Sequence, residues 1–151
     1  MTNASKEVFL TYNKEHQLTE EEKNKVVDFL HTSLEKYGDP KAQIAKAIGY
    51  AQEEYPSFGG FIRVVLKEDK IVGALVMNRT GMEGYIPSNI LVYVAIRESE
   101  RGNGLGRRLI QDSIDATTGG VALHVDPDNP ALKLYERMGF EKKYLEMRHE
   151  A

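Results

Sequence analysis

Ile90-Leu-Val-Tyr-Val-Ala-Ile96 runs through Arg97-Glu-Ser-Glu100 into Arg101-Gly-Asn-Gly-Leu-Gly106, after which Leu109, Ile110 and Ile114 recur at helical spacing. An almost uninterrupted apolar run of strand length is the pattern of a strand buried on both faces, which places Ile90 to Ile96 in mid-sheet. The order is strand, glycine loop, helix. Lacking Cβ atoms, Gly102, Gly104 and Gly106 let the backbone take positive φ and approach a ligand closely, while successive N–H groups at a helix start offer positive partial charge to an anion. A tight turn that merely needs glycine accounts for the glycines as well. Arg107 and Arg108 favour the phosphate reading, because the macrodipole disfavours cations in a first helical turn unless an anion is held there too.

Upstream, Val8, Leu10 and Tyr12 alternate with Phe9 and Thr11 as in a first strand. Thr19 and Glu22 have capping-box spacing, and Val26, Val27, Phe29, Leu30, Leu34 and Tyr37 continue at helical spacing until Gly38. Asp39 and Pro40 fit an N-cap and a first-turn proline for a second helix through Ile44 and Ile48 to about Glu54. Phe61 to Lys67 and Ile71 to Asn78 read as an antiparallel hairpin turning at Glu68-Asp69-Lys70, and a polar loop from Arg79 to Asn89 leads to the buried run. Downstream, Val121 to Val125 reads as a further buried strand. Asp126-Pro-Asp-Asn-Pro130 is a turn capping a short helix with Leu132, Leu134 and Tyr135, and Phe140 to about Arg148 is a last strand. With no repeat or linker, the expectation is one α/β domain over residues 1–151 with a central mixed sheet flanked by helices.

Composition narrows the function. A chain of 151 residues with 41% hydrophobic and 28% charged residues is that of an ordinary globular protein. Its net charge of −3 and merely local Arg and Lys clusters argue against nucleic acid as a partner. The polar Met1 to Glu7 and the lack of a long apolar run give no signal sequence or membrane span, so a cytoplasmic location without membrane association is the default. Having no cysteine, the chain has no thiolate metal site or cysteine nucleophile, and His16, His31, His124 and His149 lack metal-site spacing. No metal is expected. Among phosphate ligands, the dinucleotide fingerprint fails because Arg107 stands sixth from Gly102, and no glycine is followed by Lys and then Ser or Thr as a nucleoside triphosphate loop requires.

Arg101-x-x-Gly104-x-Gly106 after a buried strand resembles the Arg/Gln-x-x-Gly-x-Gly/Ala signature of the Gcn5-related N-acetyltransferase (GNAT) family. Asn129-Pro-Ala-Leu-Lys-Leu-Tyr135-Glu-Arg-Met-Gly-Phe140 is similar to its Asn…Leu-Tyr-x-x-x-Gly-Phe segment. The resemblance implies acetyl-coenzyme A in a cleft where the parallel strands Ile90–Ile96 and Val121–Val125 splay apart. The backbone of Val94, Ala95 and Ile96 pairs with the pantetheine arm in the manner of an added strand. Arg101, Gly102, Asn103, Gly104, Leu105, Gly106 and Arg107 form the pyrophosphate loop, Asn129 touches the arm from the other side, and Tyr135 donates a proton to the departing thiolate. The implied activity is acetyl transfer to a primary amine, in a small molecule or a peptide. A non-catalytic acyl-coenzyme A sensor or scaffold on the same fold is the alternative.

An amine attacks a thioester only when neutral, and a free ammonium has a pKa near ~10, so the site needs a base. His124 stands five residues before Asn129, where relatives with an acidic base often carry it, although counting back from Tyr135 lands on Leu123. Glu83, Tyr85 and water are the other candidates. Lacking cysteine, the chain cannot form an acetyl-cysteine, which leaves direct transfer in a ternary complex. The family's acceptor region corresponds here to Tyr37, Tyr50, Tyr55, Phe58 and Tyr85. Beyond Phe140 too little chain remains for the two antiparallel strands common in relatives, and no turn residue interrupts Phe140 to Arg148. One continuous strand with an unpaired edge is expected, and with it a homodimer through the C-terminal strands.

Overall fold

In the computed structural model, which describes residues 6–151, the first helix starts as its sequence dictates. Thr19 accepts a hydrogen bond from the Glu22 backbone N–H, Glu22 accepts one from the Thr19 N–H, and helix α1 (Glu20–Leu34) follows. It buries Val26, Val27, Phe29 and Leu30 on one face. A single 3₁₀ turn, Glu35–Tyr37, leads to helix α2 (Lys41–Ala51), which opens after Pro40 with no side-chain cap. Asp39 is therefore not the N-cap expected from sequence. Its carboxylate accepts the hydroxyl hydrogen of Tyr93 instead.

Five strands form one sheet in sequence order: β1 (Glu7–Tyr12), β2 (Gly60–Lys67), β3 (Lys70–Arg79), β4 (Asn89–Ile96) and β5 (Val121–Leu123). The first four pair antiparallel, and β5 lies parallel to β4. Between β2 and β3, Glu68 and Asp69 take φ of 53° and 60°, the backbone that lets a two-residue turn follow the strand twist. Helix α3 (Leu105–Asp115) and helix α4 (Ala131–Arg137) follow β4 and β5. Helices α1 and α2 close one face of the sheet over Ile62, Val64, Ala74 and Val76, and α3 and α4 close the other over Val65, Val72, Leu75 and Met77. A mixed sheet between two helical layers is the α/β architecture the sequence implies. The first five residues of the expected 1–151 domain, within the polar Met1–Glu7 stretch, lie outside the described residues.

Three expectations are corrected. β4 alternates buried and half-buried residues along its whole length rather than burying both faces alike, including the three residues that β5 pairs. β5 itself ends at Leu123 instead of Val125 and is half-buried. Phe140 to Arg148 is not a strand. Phe140 turns back onto Tyr135, its N–H on the Tyr135 carbonyl at 3.0 Å and the ring centroids 5.8 Å apart. From Glu141 onward every residue is exposed. A strand needs a ladder to satisfy its backbone, and within one chain a three-residue β5 offers this charged segment almost none.

Candidate active site

The site begins with a divergence. Asn89, Ile90 and Leu91 pair with Val121, Ala122 and Leu123, and there the β4–β5 ladder stops. From Val92 to Ile96 the edge of β4 toward β5 has no strand partner among the described residues, which leaves an open V between parallel strands. Along its β3 edge the strand shifts register at Val76/Met77, where Met77 faces Leu91 and Val76 faces Tyr93, so that Val92 is an extra residue. A bulge re-aims the side chains beyond it. Leu91 belongs to the α3/α4 face, whereas Tyr93 and Ala95 belong to the α1/α2 face.

The glycine loop closes the far end of the V. Gly102 and Gly104 take φ of 86° and 84°, and a Cβ on either would meet no atom within 4 Å. They are glycine for backbone conformation, and the loop faces open space. Gly104 is the N-cap of α3 and supplies no side-chain cap; Leu105 N–H has only a 3.4 Å contact to the Asn103 side chain. Uncapped first-turn N–H groups with a glycine approach are what a pyrophosphate requires. The arginines divide their duties. Arg108 pairs with Glu7 at 2.6 Å, which lowers the Glu7 carboxyl pKa, chiefly through that hydrogen bond, so it is not reserved for an anion. Arg101 donates to the carbonyls of Ile96 at 2.9 Å and Ser33 at 3.0 Å. It ties the loop to β4 and α1 and occupies the Ile96 carbonyl. Arg107 is exposed beside the loop.

Across the V, Asn129 accepts the Ala131 N–H at 2.9 Å and so fixes its amide at the start of α4. Tyr135 is only 8% exposed, among Leu91, Leu105, Leu109 and Ile110. Burial pushes its phenol pKa above the ordinary value, and its hydroxyl makes no hydrogen bond among the described residues. His124 follows the last residue of β5, with its side chain 59% exposed and Nδ1 3.8 Å from a Glu146 carboxylate oxygen. The glycine loop thus follows β4 and His124 and Asn129 follow β5, on the two arms of the V, while Tyr135 is buried in the core cluster that includes Leu91 and Leu105.

Of the expected acceptor aromatics, Tyr50 and Tyr55 meet edge to face with ring centroids 6.4 Å apart, whereas Tyr37 stands apart from them. Tyr37 donates to the Asp128 carbonyl at 3.2 Å and so spans from the α1–α2 connection to the β5–α4 turn. Tyr50 donates instead to the Arg79 carbonyl, and Phe58 lies against Gly81. These two, with Tyr55, Glu83 and Tyr85, belong to the end of the sheet where β4 begins. A hollow of about 220 Å³ lined by Phe61, Met77, Arg79, Asn89 and Thr117 lies at that same end. It is smaller than usual ligand pockets of ~300 Å³ or more, and it lies away from the glycine loop. Tyr93 and Asp39 are the pair that sequence reasoning missed. The signal was a lone tyrosine in an aliphatic strand, since a buried hydroxyl requires a partner.

A family model for the acetyltransferase (GNAT) domain matches residues 59–142, more than half of the chain, and the chain belongs to that family. Over 96 residues it is 28% identical to N-alpha-acetyltransferase 30 of Schizosaccharomyces pombe, an alignment covering 60% of this chain and 62% of the relative. The chain thus spans less than two thirds of that relative's length. Its fold is that of aminoglycoside N-acetyltransferase AAC(6')-Iy, solved in complex with CoA: TM-score 0.71 at 15% identity, covering 100% of this chain and 98% of that one. A possible acetyltransferase from Clostridium difficile 630 superposes with TM-score 0.68 at 15% identity, over 96% and 97% of the two chains.

Proposed function

We propose that this chain transfers an acetyl group from acetyl-coenzyme A directly to a primary amine of a small molecule or peptide, within a ternary complex. The observation that carries the reading is the half-paired β4, whose free backbone leads straight to an uncapped, glycine-lined helix start. The residues present fit the cosubstrate. Val94 and Ala95 offer backbone groups to an extended arm, Gly102 to Arg107 offer N–H groups to a pyrophosphate, and Asn129 keeps its Nδ2 free to donate across the V. Arg101 acts by shaping the loop, its guanidinium being taken up by two carbonyls.

Acetyl-coenzyme A supplies the acyl group as an activated thioester. The amine nitrogen bonds to the acyl carbon as the carbon–sulfur bond breaks, and two protons must move. His124 takes the proton from the amine, and Tyr135 delivers one to the sulfur. Burial suits Tyr135 to this role, because its phenol stays protonated through the neutral range. We propose further that two copies associate through their C-terminal segments. Tyr144, Leu145 and Met147 are 85%, 90% and 89% exposed, and the outer edge of β5 has no strand partner among the described residues, so each offers what the other lacks.

The test is calorimetry with coenzyme A alongside thiol release from acetyl-coenzyme A over a panel of amines. Micromolar binding with amine-dependent thiol release is expected. Binding without release over the whole panel would favour an acyl-coenzyme A sensor, and absence of binding would remove the cofactor reading.

A further inference from the structure

We propose that Glu146 is a positioning residue for His124, its carboxylate holding the Nδ1–H of the ring so that Nε2 is left to take the proton from the amine. The inference rests on the acetyl-transfer reading with His124 as its base.

Val121, Leu123 and Val125 all pack in the cluster under α3 and α4. The alternation of an extended chain thus continues past the end of β5 and turns His124 to the other face of the sheet, the one to which Tyr93 and Ala95 of β4 belong. Tyr135 stands on the α3/α4 side. Base and acid therefore lie on opposite faces, so the amine is deprotonated on one side while the thiol leaves on the other.

The C-terminal segment comes to the His124 face. Glu146 Oε1 lies 3.8 Å from His124 Nδ1. Arg148 donates its Nε–H to the same oxygen at 2.7 Å and also feels the Asp39 carboxylate, which accepts the Tyr93 hydroxyl. Beyond Phe140 the segment makes no backbone hydrogen bond among the described residues. These side-chain contacts, with Lys142 on Glu136 nearer its start, are what hold it. The bond to Arg148, with a smaller contribution from His124, keeps the Glu146 carboxyl pKa below its ordinary value, so the group that faces the ring is a carboxylate.

A neutral histidine is a base only through the ring nitrogen that carries no hydrogen, and which nitrogen that is depends on the partner of the other. Glu146 is the one charged group paired with the His124 ring among the described residues, and Nε2 has no partner there. A carboxylate accepts from Nδ1–H and stabilises the imidazolium formed as Nε2 takes the amine proton; the hydrogen on Nδ1 stays where it is. A separation of 3.8 Å is beyond hydrogen-bond range, and such contacts in a free enzyme tighten once the ligands are bound. With both side chains open to water the pair adds little stability. Its use is to choose the nitrogen that faces the amine.

The test reads the tautomer and the rate. In the isotope-labelled chain with coenzyme A bound at pH ~8, above the ordinary histidine pKa of about 6.5, NMR of the ring nitrogens should show His124 carrying its hydrogen on Nδ1. Glu146→Ala should shift the hydrogen toward Nε2, the tautomer free histidine prefers in water. With pentylamine as acceptor, the same variant should lower kcat by about tenfold while the KM for the amine and the affinity for coenzyme A stay within about twofold. Glu146→Gln still accepts Nδ1–H but carries no charge, so it should keep the wild-type tautomer and recover part of the rate. A surface ion pair without a role predicts no change in either readout. The same tautomer in wild type and Glu146→Ala overturns the proposal, as does a wild-type kcat in Glu146→Ala where His124→Ala has lost activity. A wild-type kcat in His124→Ala removes the base itself, and the positioning role falls with it. If wild type binds coenzyme A yet acetylates no pentylamine, the transfer reading fails separately for this amine, and the tautomer decides for Glu146: a shift in Glu146→Ala supports it, and none overturns it.

Discussion

The two halves of β4 are built from the same kinds of residue and used in opposite ways. Asn89 to Leu91 is bonded on both edges, to Arg79–Met77 on β3 and to Val121–Leu123 on β5. Asn89 also donates its side chain to the Thr118 and Gly120 carbonyls at 2.9 and 3.1 Å, locking the end of α3 to the start of β5. Past the bulged Val92, Tyr93 to Ile96 keeps its β3 partners and gives up the other edge. Backbone groups left without partners in a folded protein cost about as much as a lost hydrogen bond unless water or a ligand meets them. One half of the strand holds the fold together, and the other is exposed to be completed from outside.

This division predicts that damage at the open end removes ligand binding without unfolding the chain. Gly104→Asp is expected to have the largest effect. The added side chain finds space, so the folding cost is backbone strain at φ of 84°, on the order of 1–2 kcal/mol. A carboxylate at the N-cap competes for the N–H groups meant for phosphate and repels the anion. Losing two or three charge-assisted bonds at roughly 1.5–3 kcal/mol each gives about a thousandfold loss of coenzyme A affinity. Calorimetry would read it, with circular dichroism as the control for folding.

Tyr135→Phe should come next, lowering kcat by about ten- to a thousandfold while changing acetyl-coenzyme A affinity little. The variant also carries a pH signature. A phenol raised above its ordinary value of 10.0 by burial contributes stability that is fully present below pH ~10 and lost as pH rises through the folded-state pKa. Wild type should therefore lose thermal stability above pH ~10, and Tyr135→Phe should flatten part of that fall. A melting profile unchanged by the substitution, together with a wild-type kcat, would leave Tyr135 a packing residue.

At the paired end the pattern reverses. Asn89→Ala removes two side-chain hydrogen bonds from a site that is 3% exposed and takes this donor from the Thr118 carbonyl, while the Gly120 carbonyl keeps the Asn89 backbone N–H, at a cost of about 1–3 kcal/mol. For a chain of this size that lowers Tm by roughly 3–10 °C. Coenzyme A affinity should stay within about twofold. A parallel loss of affinity would mean that the halves of β4 are coupled rather than separate.

The sequence made this division only half legible. The strand, glycine loop and helix were plain because apolar periodicity and the glycines at 102 and 104 report local backbone needs. The same holds for the Thr19–Glu22 cap and the β2–β3 hairpin. Where β5 lets go of β4 was hidden, since Val121 to Val125 is apolar apart from His124 and no turn residue marks the end of pairing at Leu123. Arg108 and Asp39 misled for a related reason. An arginine at a helix start and an aspartate before a proline have obvious local roles, and tertiary partners, Glu7 in one case and Tyr93 in the other, claimed them instead. Phe140 to Arg148 has a strand's composition, but a strand depends on a neighbour that no local pattern supplies.

That segment gives the smallest expected effect on the folded chain and the sharpest test of how the open edge is covered. Deletion after Lys143 removes residues that bury nothing in their own copy: Tyr144, Leu145 and Met147 are almost fully exposed. The ion pair of Arg148 with Glu146 and the 3.8 Å contact of Glu146 with His124 are both exposed and worth little. At low protein concentration the truncated and full chains should melt within about 2 °C of each other. At micromolar concentration they should part. If the segment adds to the free β5 edge of a second copy, the full chain gives a dimer mass by light scattering and a Tm that rises with concentration, because association stabilises only the folded state. The truncated chain gives a monomer and a flat Tm. A full chain that is cleanly monomeric removes the dimer, and a dimer that persists after truncation places its contact elsewhere. In the expected case the open V and the open β5 edge share a cause, a sheet that ends three residues into its fifth strand, leaving one side for the cosubstrate and the other for a second copy.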